Sequence, residues 1–165
     1  MSDTEIVTSM QTIIRATQLD GENAFLSESV VIDDWSYRDT EIINEPFCRI
    51  DSPVLLGAVD SLDGITNQWL ARATVAKPFE DWNLTRPLVR QLRTAVLDTF
   101  NGSNYRNLGN PSSTVAYTVT NIRDEFPDVF LYIYDRYMEP EELIEAVPTM
   151  IELPILFEIE EVCNA

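Results

Sequence analysis

The chain has 165 residues, 45% hydrophobic and 10% aromatic, the composition of one globular domain rather than of a disordered segment. Its formal net charge of -17 repels nucleic-acid phosphates and anionic membrane surfaces, which argues against a sequence-reading DNA or RNA binder. There is no histidine and Lys77 is the single lysine, so Ser-His-Asp and Cys-His arrangements, histidine metal ligands and a Walker-type phosphate loop are all excluded.

From the N-terminus, Ser2 and Glu5 have the spacing of an S-x-x-E capping box. Ile6, Val7, Met10, Ile13, Ile14 and Thr17 follow at three- and four-residue intervals, which predicts an amphipathic helix of about four turns. "LDGEN" (residues 19–23) stops it with a turn. Residues 24–63 read as extended and irregular, with "SVVIDDW" and the short "PFCRI" as strand candidates. In "TNQWLARATVAKPF", Trp69, Ala71, Ala73 and Val75 share one face of a strand and Arg72 and Thr74 the other, until Pro78 ends the ladder. Asn83 or Thr85 is then expected to cap a second helix, with Pro87 in its first turn and Leu88, Leu92, Ala95, Val96 and Phe100 as its buried stripe. Asn101-Gly102 stops it.

"YRNLGNPSS" reads as a loop, and "TVAYTVTNI" and "DVFLYIYD" as strands. "PEELIEAV" begins with Pro and two acids, as a short helix does. In the closing "IELPILFEIEEV", Ile151, Leu153, Ile155, Phe157 and Ile159 alternate with polar positions, the period of a half-buried strand. The summed order predicts a single α+β domain over 1–165, a mostly antiparallel β-sheet flanked by two main α-helices. The start has no basic region followed by an apolar run, and no window approaches the ~18 apolar residues of a membrane helix. The expectation is a soluble protein made in a cytoplasm and not associated with membranes.

Charge is segregated along the chain. Residues 1–60 carry 12 acids and 3 bases, residues 61–123 carry 4 acids and 7 bases, and residues 124–165 carry 12 acids and 1 base. A basic block between acidic ones can attract them, within a chain or between copies. Arg86, Arg90 and Arg93 share one helical face beside the apolar stripe. They form either a solvated flank with buried stems or a ridge that meets carboxylates of another subunit. Glu141, Glu142 and Glu145 of "PEELIEAV" are candidate acidic counterparts.

The run Phe130, Tyr132, Tyr134, with Val129, Leu131 and Ile133 opposite, predicts a strand apolar on both faces. Such a strand is buried in the core, or its tyrosines, with Tyr137, line a subunit interface. Cys48 and Cys163 fit no metal or redox spacing and read as one core residue and one tail thiol. Asp33-Asp34, Glu141-Glu142 and Glu160-Glu161 lack any spaced ligand set, so no metal and no cofactor are implied.

The pieces "TEIVTSMQTIIRATQ", "PFCRI", "NQWLARATVAKPF", "TRPLVRQLRTAVLDTF" and "LPILFEIEEV" follow one another in an order that resembles the tail terminator (tail completion) proteins of long-tailed bacteriophages. The resemblance covers a little under half the chain. Residues 103–150 exceed what compact members need and read as an extension, and 51–66 are hard to place in the family pattern. It implies a non-enzymatic structural protein of the virion tail or neck: a homo-oligomer, usually a hexameric ring, on the last ring of the tail tube protein and facing the head-tail connector or stopper. DNA would pass through the ring without specific binding, and the closing strand would complete the sheet from one side with glutamates outward or into the channel. The rival expectation from the charge alone is an acidic DNA-mimic inhibitor of a nucleic-acid-binding enzyme.

Overall fold

The computed structural model describes residues 2–39, 44–62, 64–102, 105–112, 115–123, 129–134, 139 and 146–164. Within them the chain is α+β: two helices and a predominantly antiparallel, curled sheet. Helix α1 (Ser2–Arg15) buries Ile6, Val7, Met10, Ile13 and Ile14, the stripe its periodicity predicts. Glu5 reaches the sheet, where its carboxylate accepts a 2.8 Å hydrogen bond from the Tyr117 hydroxyl. "LDGEN" is a tight hairpin between β1 (Gln18–Leu19) and β2 (Glu22–Asn23). Asp20 and Gly21 both take positive φ (55° and 83°), the demand that the tight primed turns of two-residue hairpins place on Asp-Gly.

Strand β3 (Val30–Ile32) runs parallel to the start of β4 (Phe47–Ser61), and β4 turns back through residues 62–63 into β5 (Gly64–Pro78). Phe47–Ile50 of "PFCRI" thus opens a 15-residue strand. Its length was hidden because register shifts between Asp51 and Val54, and again between Leu55 and Gly57, break the two-residue period.

Helix α2 (Trp82–Gly102) starts earlier than its apolar stripe suggests. Asp81 caps it, accepting from the Asn83 amide at 2.7 Å, and the Thr85 hydroxyl accepts from the amides of Glu80 and Asp81 at 3.0 and 3.3 Å. Neither Asn83 nor Thr85 is the cap itself, and Pro87 falls in the second turn. Leu92, Ala95, Val96 and Phe100 are buried as expected, and Leu88 is half-buried.

"YRNLGNPSS" contains a short bulged strand, β6 (Asn107–Ser112), bent at Gly109 (φ 114°), rather than only a loop. It pairs with β7 (Val115–Arg123). β8 spans only Leu131–Ile133. Val129 and Leu131 are exposed, so this stretch is not buried along both faces; Phe130 and Tyr132 pack against the main core, and Ile133 against a smaller cluster on the other face.

The closing strand β9 (Met150–Asn164) does not finish the sheet from one side. It lies at the sheet's centre, paired over its length with β5 and on its other side with β7 and β8, in the order β3-β4-β5-β9-β7-β6. Ile151, Leu153, Ile155, Phe157 and Ile159 face the helices and are fully buried, with Phe157 against Phe100 at 4.8 Å between ring centroids. Burying a Leu, Ile or Phe side chain contributes about 1.5–3 kcal/mol, so this row anchors the fold. On the opposite face a smaller cluster gathers Tyr37, Phe47, Ala76 and Met150.

Candidate assembly surface

β4 and β5 form a long hairpin in which β4 is exposed from Val54 to Asp60. β3 pairs only with Cys48–Ile50, so among the described residues no strand lies on the outer edge of β4 from Ser52 to Ser61. Along it Val54, Leu55, Leu56 and Val59 are 60%, 50%, 56% and 62% exposed, and Leu62 at the turn is fully exposed. This stretch has one carboxylate, Asp60, and no lysine, the usual device against strand-to-strand association. A contiguous apolar run on an open strand edge is the type of surface at which protein contacts form.

The other edge of the sheet is β6, which among the described residues pairs only with β7. Rows of paired residues connect the two edges. One row runs Gly57, Gln68, Glu160, Thr118, Asn107, and another runs Asp60, Ile65, Cys163, Val115, Ser112. The Gly57–Asp60 part of the free edge of β4 and β6 therefore stand at the same level, and Ser52–Leu56 lies past the end of β6.

A chain of charged groups braces the base of the hairpin. Glu152, on β9 and fully buried, accepts from the Tyr37 hydroxyl at 2.6 Å and from Arg38 through Nε (2.9 Å) and Nη2 (2.6 Å). Arg49, on β4 and 1% exposed, donates from Nη1 to the Tyr37 oxygen at 2.5 Å and from Nε to Asp51 at 2.8 Å. Arg72 donates to the second Asp51 oxygen at 2.6 Å. The guanidinium carbons of Arg49 and Arg38 lie 3.4 and 4.6 Å from the Trp35 ring centroid. Asp33, in a left-handed conformation (φ 49°), binds the Ser52 amide at 2.8 Å and the Ser52 hydroxyl. Residues 33–38 thus strap β4 to β9. Burial, and then the Glu152 charge, hold the Tyr37 hydroxyl well above its usual range, so it stays a donor. Nothing in the local sequence marks Glu152 as buried; its parity is that of the solvated face.

The predicted site residues separate. Arg86 lies over the Trp82 ring at 5.1 Å and Arg90 over the Phe130 ring at 5.1 Å, both within their own chain. Arg93 is buried. The solvent-facing part of this trio is Arg90, which with Asp20 and Asp98 lines an open cleft of about 580 Å³ between the end of α1 and α2. Tyr132 packs edge-on against Trp82 at 5.6 Å, and Tyr134 is half-buried just past β8. Tyr137, Glu141, Glu142 and Glu145 lie outside the described residues, as do residues 140–145 of the expected "PEELIEAV" helix; its last two residues, Ala146 and Val147, are described and are not helical. The candidates from β4 carried a signal in the sequence, the run "PVLLGAV", but no period that would place it on a strand.

Several carboxylates are committed internally. Arg123, then Asn121, hold Glu158 below the ordinary carboxylate value, and Asn44, then Lys77, do the same for Glu80. Asn67 donates to Glu161 at 2.5 Å, and Gln68 to Glu160 at 3.1 Å. No protein-family model matches this chain, and no curated protein matches it either.

Proposed function

We propose that this protein is a structural subunit of the tail or neck of a long-tailed bacteriophage, capping the tail tube as a ring of copies and joining it to the head connector. The observation that carries the reading is the open, apolar outer edge of β4, Ser52–Ser61, a surface made for another protein chain. The helix-strand order and the charge of -17 support it as well, since a strongly acidic ring lets DNA slide through without adhering. No substrate, metal or cofactor enters this role, and its partners are copies of itself, the tube protein and the connector.

Residues that would present carboxylates to a nuclease as a phosphate mimic are in several cases tied to arginines or amides of their own chain, as Glu152, Glu158 and Glu161 are. The mimic reading therefore stands second. Electron microscopy of the purified protein, alone and mixed with tail tubes, tests the proposal. Rings seated on tube ends are expected; a monomer that ignores tubes and inhibits a DNA-processing enzyme would replace this reading with the mimic.

A further inference from the structure

We infer that copies of this chain join head to tail through their sheets, the outer edge of β4 in one copy pairing in parallel with β6 of the next. The inference rests on the proposed role in taking self-assembly as the protein's work, and adds which surfaces meet and in what direction.

Strand direction carries the first step. From β4 to β6 the path through β5, β9 and β7 makes four antiparallel steps, so β4 and β6 point the same way. A second copy set beside the first in the same orientation thus brings β6 against β4 as a parallel pair. The level of the two edges carries the second step. Gly57 shares a row with Asn107, and Asp60 shares one with Ser112, so the edges meet without one copy rising past the other. A heterologous contact closes into a ring when it has no rise and its rotation divides a full turn, and otherwise runs on as an open filament; matched edges meet the first condition.

Side chains supply the third step. A groove of about 350 Å³ lies against β6, lined by Thr4, Thr8, Leu108, Gly109 and Tyr117 between α1 and the sheet. The bare apolar side chains of the hairpin, Leu55 and Leu62 among them, need such a place to leave water. A two-fold β4-to-β4 contact would leave this groove and both β6 edges unused. Head-to-tail pairing occupies the β6 edge and Gly57–Asp60 of β4, and brings the apolar Val54–Leu56 next to the end of β6 where the groove lies.

Engineered cysteines at the matched row test the arrangement. In a Cys163→Ser background, with Cys48 buried, Gly57→Cys and Asn107→Cys are introduced singly and together. A Cβ at Gly57 meets nothing within 4 Å, so that substitution leaves the fold undisturbed. Oxidation is expected to give a ladder of covalent multimers only when both cysteines are present, with the single variants staying uncross-linked. A covalent dimer from Gly57→Cys alone would overturn head-to-tail pairing in favour of a two-fold contact. Assembly in solution without any cross-link would overturn it in favour of another face, and a strict monomer at the highest soluble concentration would overturn self-association altogether. Val59→Lys in the unaltered chain gives a second measurement: assembly lost, and the melting curve unchanged at a dilution where both chains are monomeric. Rings on tail ends without the cross-link would remove this contact and leave the tail reading standing; a cross-linked ladder that never binds tails would do the reverse.

Discussion

Arg38 donates two hydrogen bonds to Glu152 across 114 residues of chain, Nε at 2.9 Å and Nη2 at 2.6 Å, and the carboxylate that receives them is fully buried. A buried carboxylate is tolerated only while its charge is matched, and removing one partner of such a pair costs about 3–5 kcal/mol. Here Tyr37 and the more distant Arg49, at 3.8 Å, remain to share the charge, so Arg38→Ala should fall near the lower end of that range. Chemical denaturation checks the value. Replacing Arg38 and Glu152 together by apolar residues of similar size should recover most of the loss; a change below about 1 kcal/mol for the single substitution would mean that the pair is solvated.

Alkaline pH should weaken the fold through Cys48. Burial, with Arg49 opposing and Asp51 adding, pushes its thiol from the ordinary 9.0 up to about 12. Below the ordinary value folded and unfolded chains both keep the proton. Above it only the unfolded chain releases one, so stability is whole below pH 9 and declines as pH rises toward about 12. Tyr37, shifted upward in the same sense, adds to the decline above its own ordinary value of 10.0. Urea melts across this window should lose their pH dependence in part in Cys48→Ala. At neutral pH a thiol reagent should label Cys163 alone until the protein unfolds.

The two ends of the sheet should respond differently to truncation. Phe157→Ala, on the central strand against Phe100, should cost about 3–5 kcal/mol. Val59→Thr, on the exposed edge of the hairpin, should change the stability of a single copy by less than about 0.5 kcal/mol. If Val59→Thr matched Phe157→Ala in thermal unfolding of the monomer, the hairpin would have a buried role within one chain.

Helix α2 offers a test of its own start. Asp81→Ala should cost about 1 kcal/mol by releasing the Asn83 amide from its 2.7 Å acceptor. Asn83→Ala should stay within about 0.5 kcal/mol, because the exposed Asn83 side chain is not the cap. Equal losses from the two would return the cap to Asn83.

Both helices, the β5 alternation and the β9 alternation were legible in the amino-acid order, because a stripe at 3.6 or 2 residues reports which side chains share a buried face. The α+β class followed from that. Period says nothing about which strands neighbour one another or whether a second layer covers a face. For this reason the resemblance implied a β9 at the sheet's border and the alternation gave Glu152 to solvent, whereas folding puts β9 at the centre and covers Glu152 with the strap that carries Tyr37 and Arg38. The bulges in β4 erased its period, and β6 is too short and too bent at Gly109 to have one. Composition, periodicity and charge are local or summed properties, and the sequence alone determined them. The pairing of β9 with three strands, the burial of Arg49 and Glu152, and the level of the two open edges come from contacts between residues far apart in the chain, which only the tertiary structure decides.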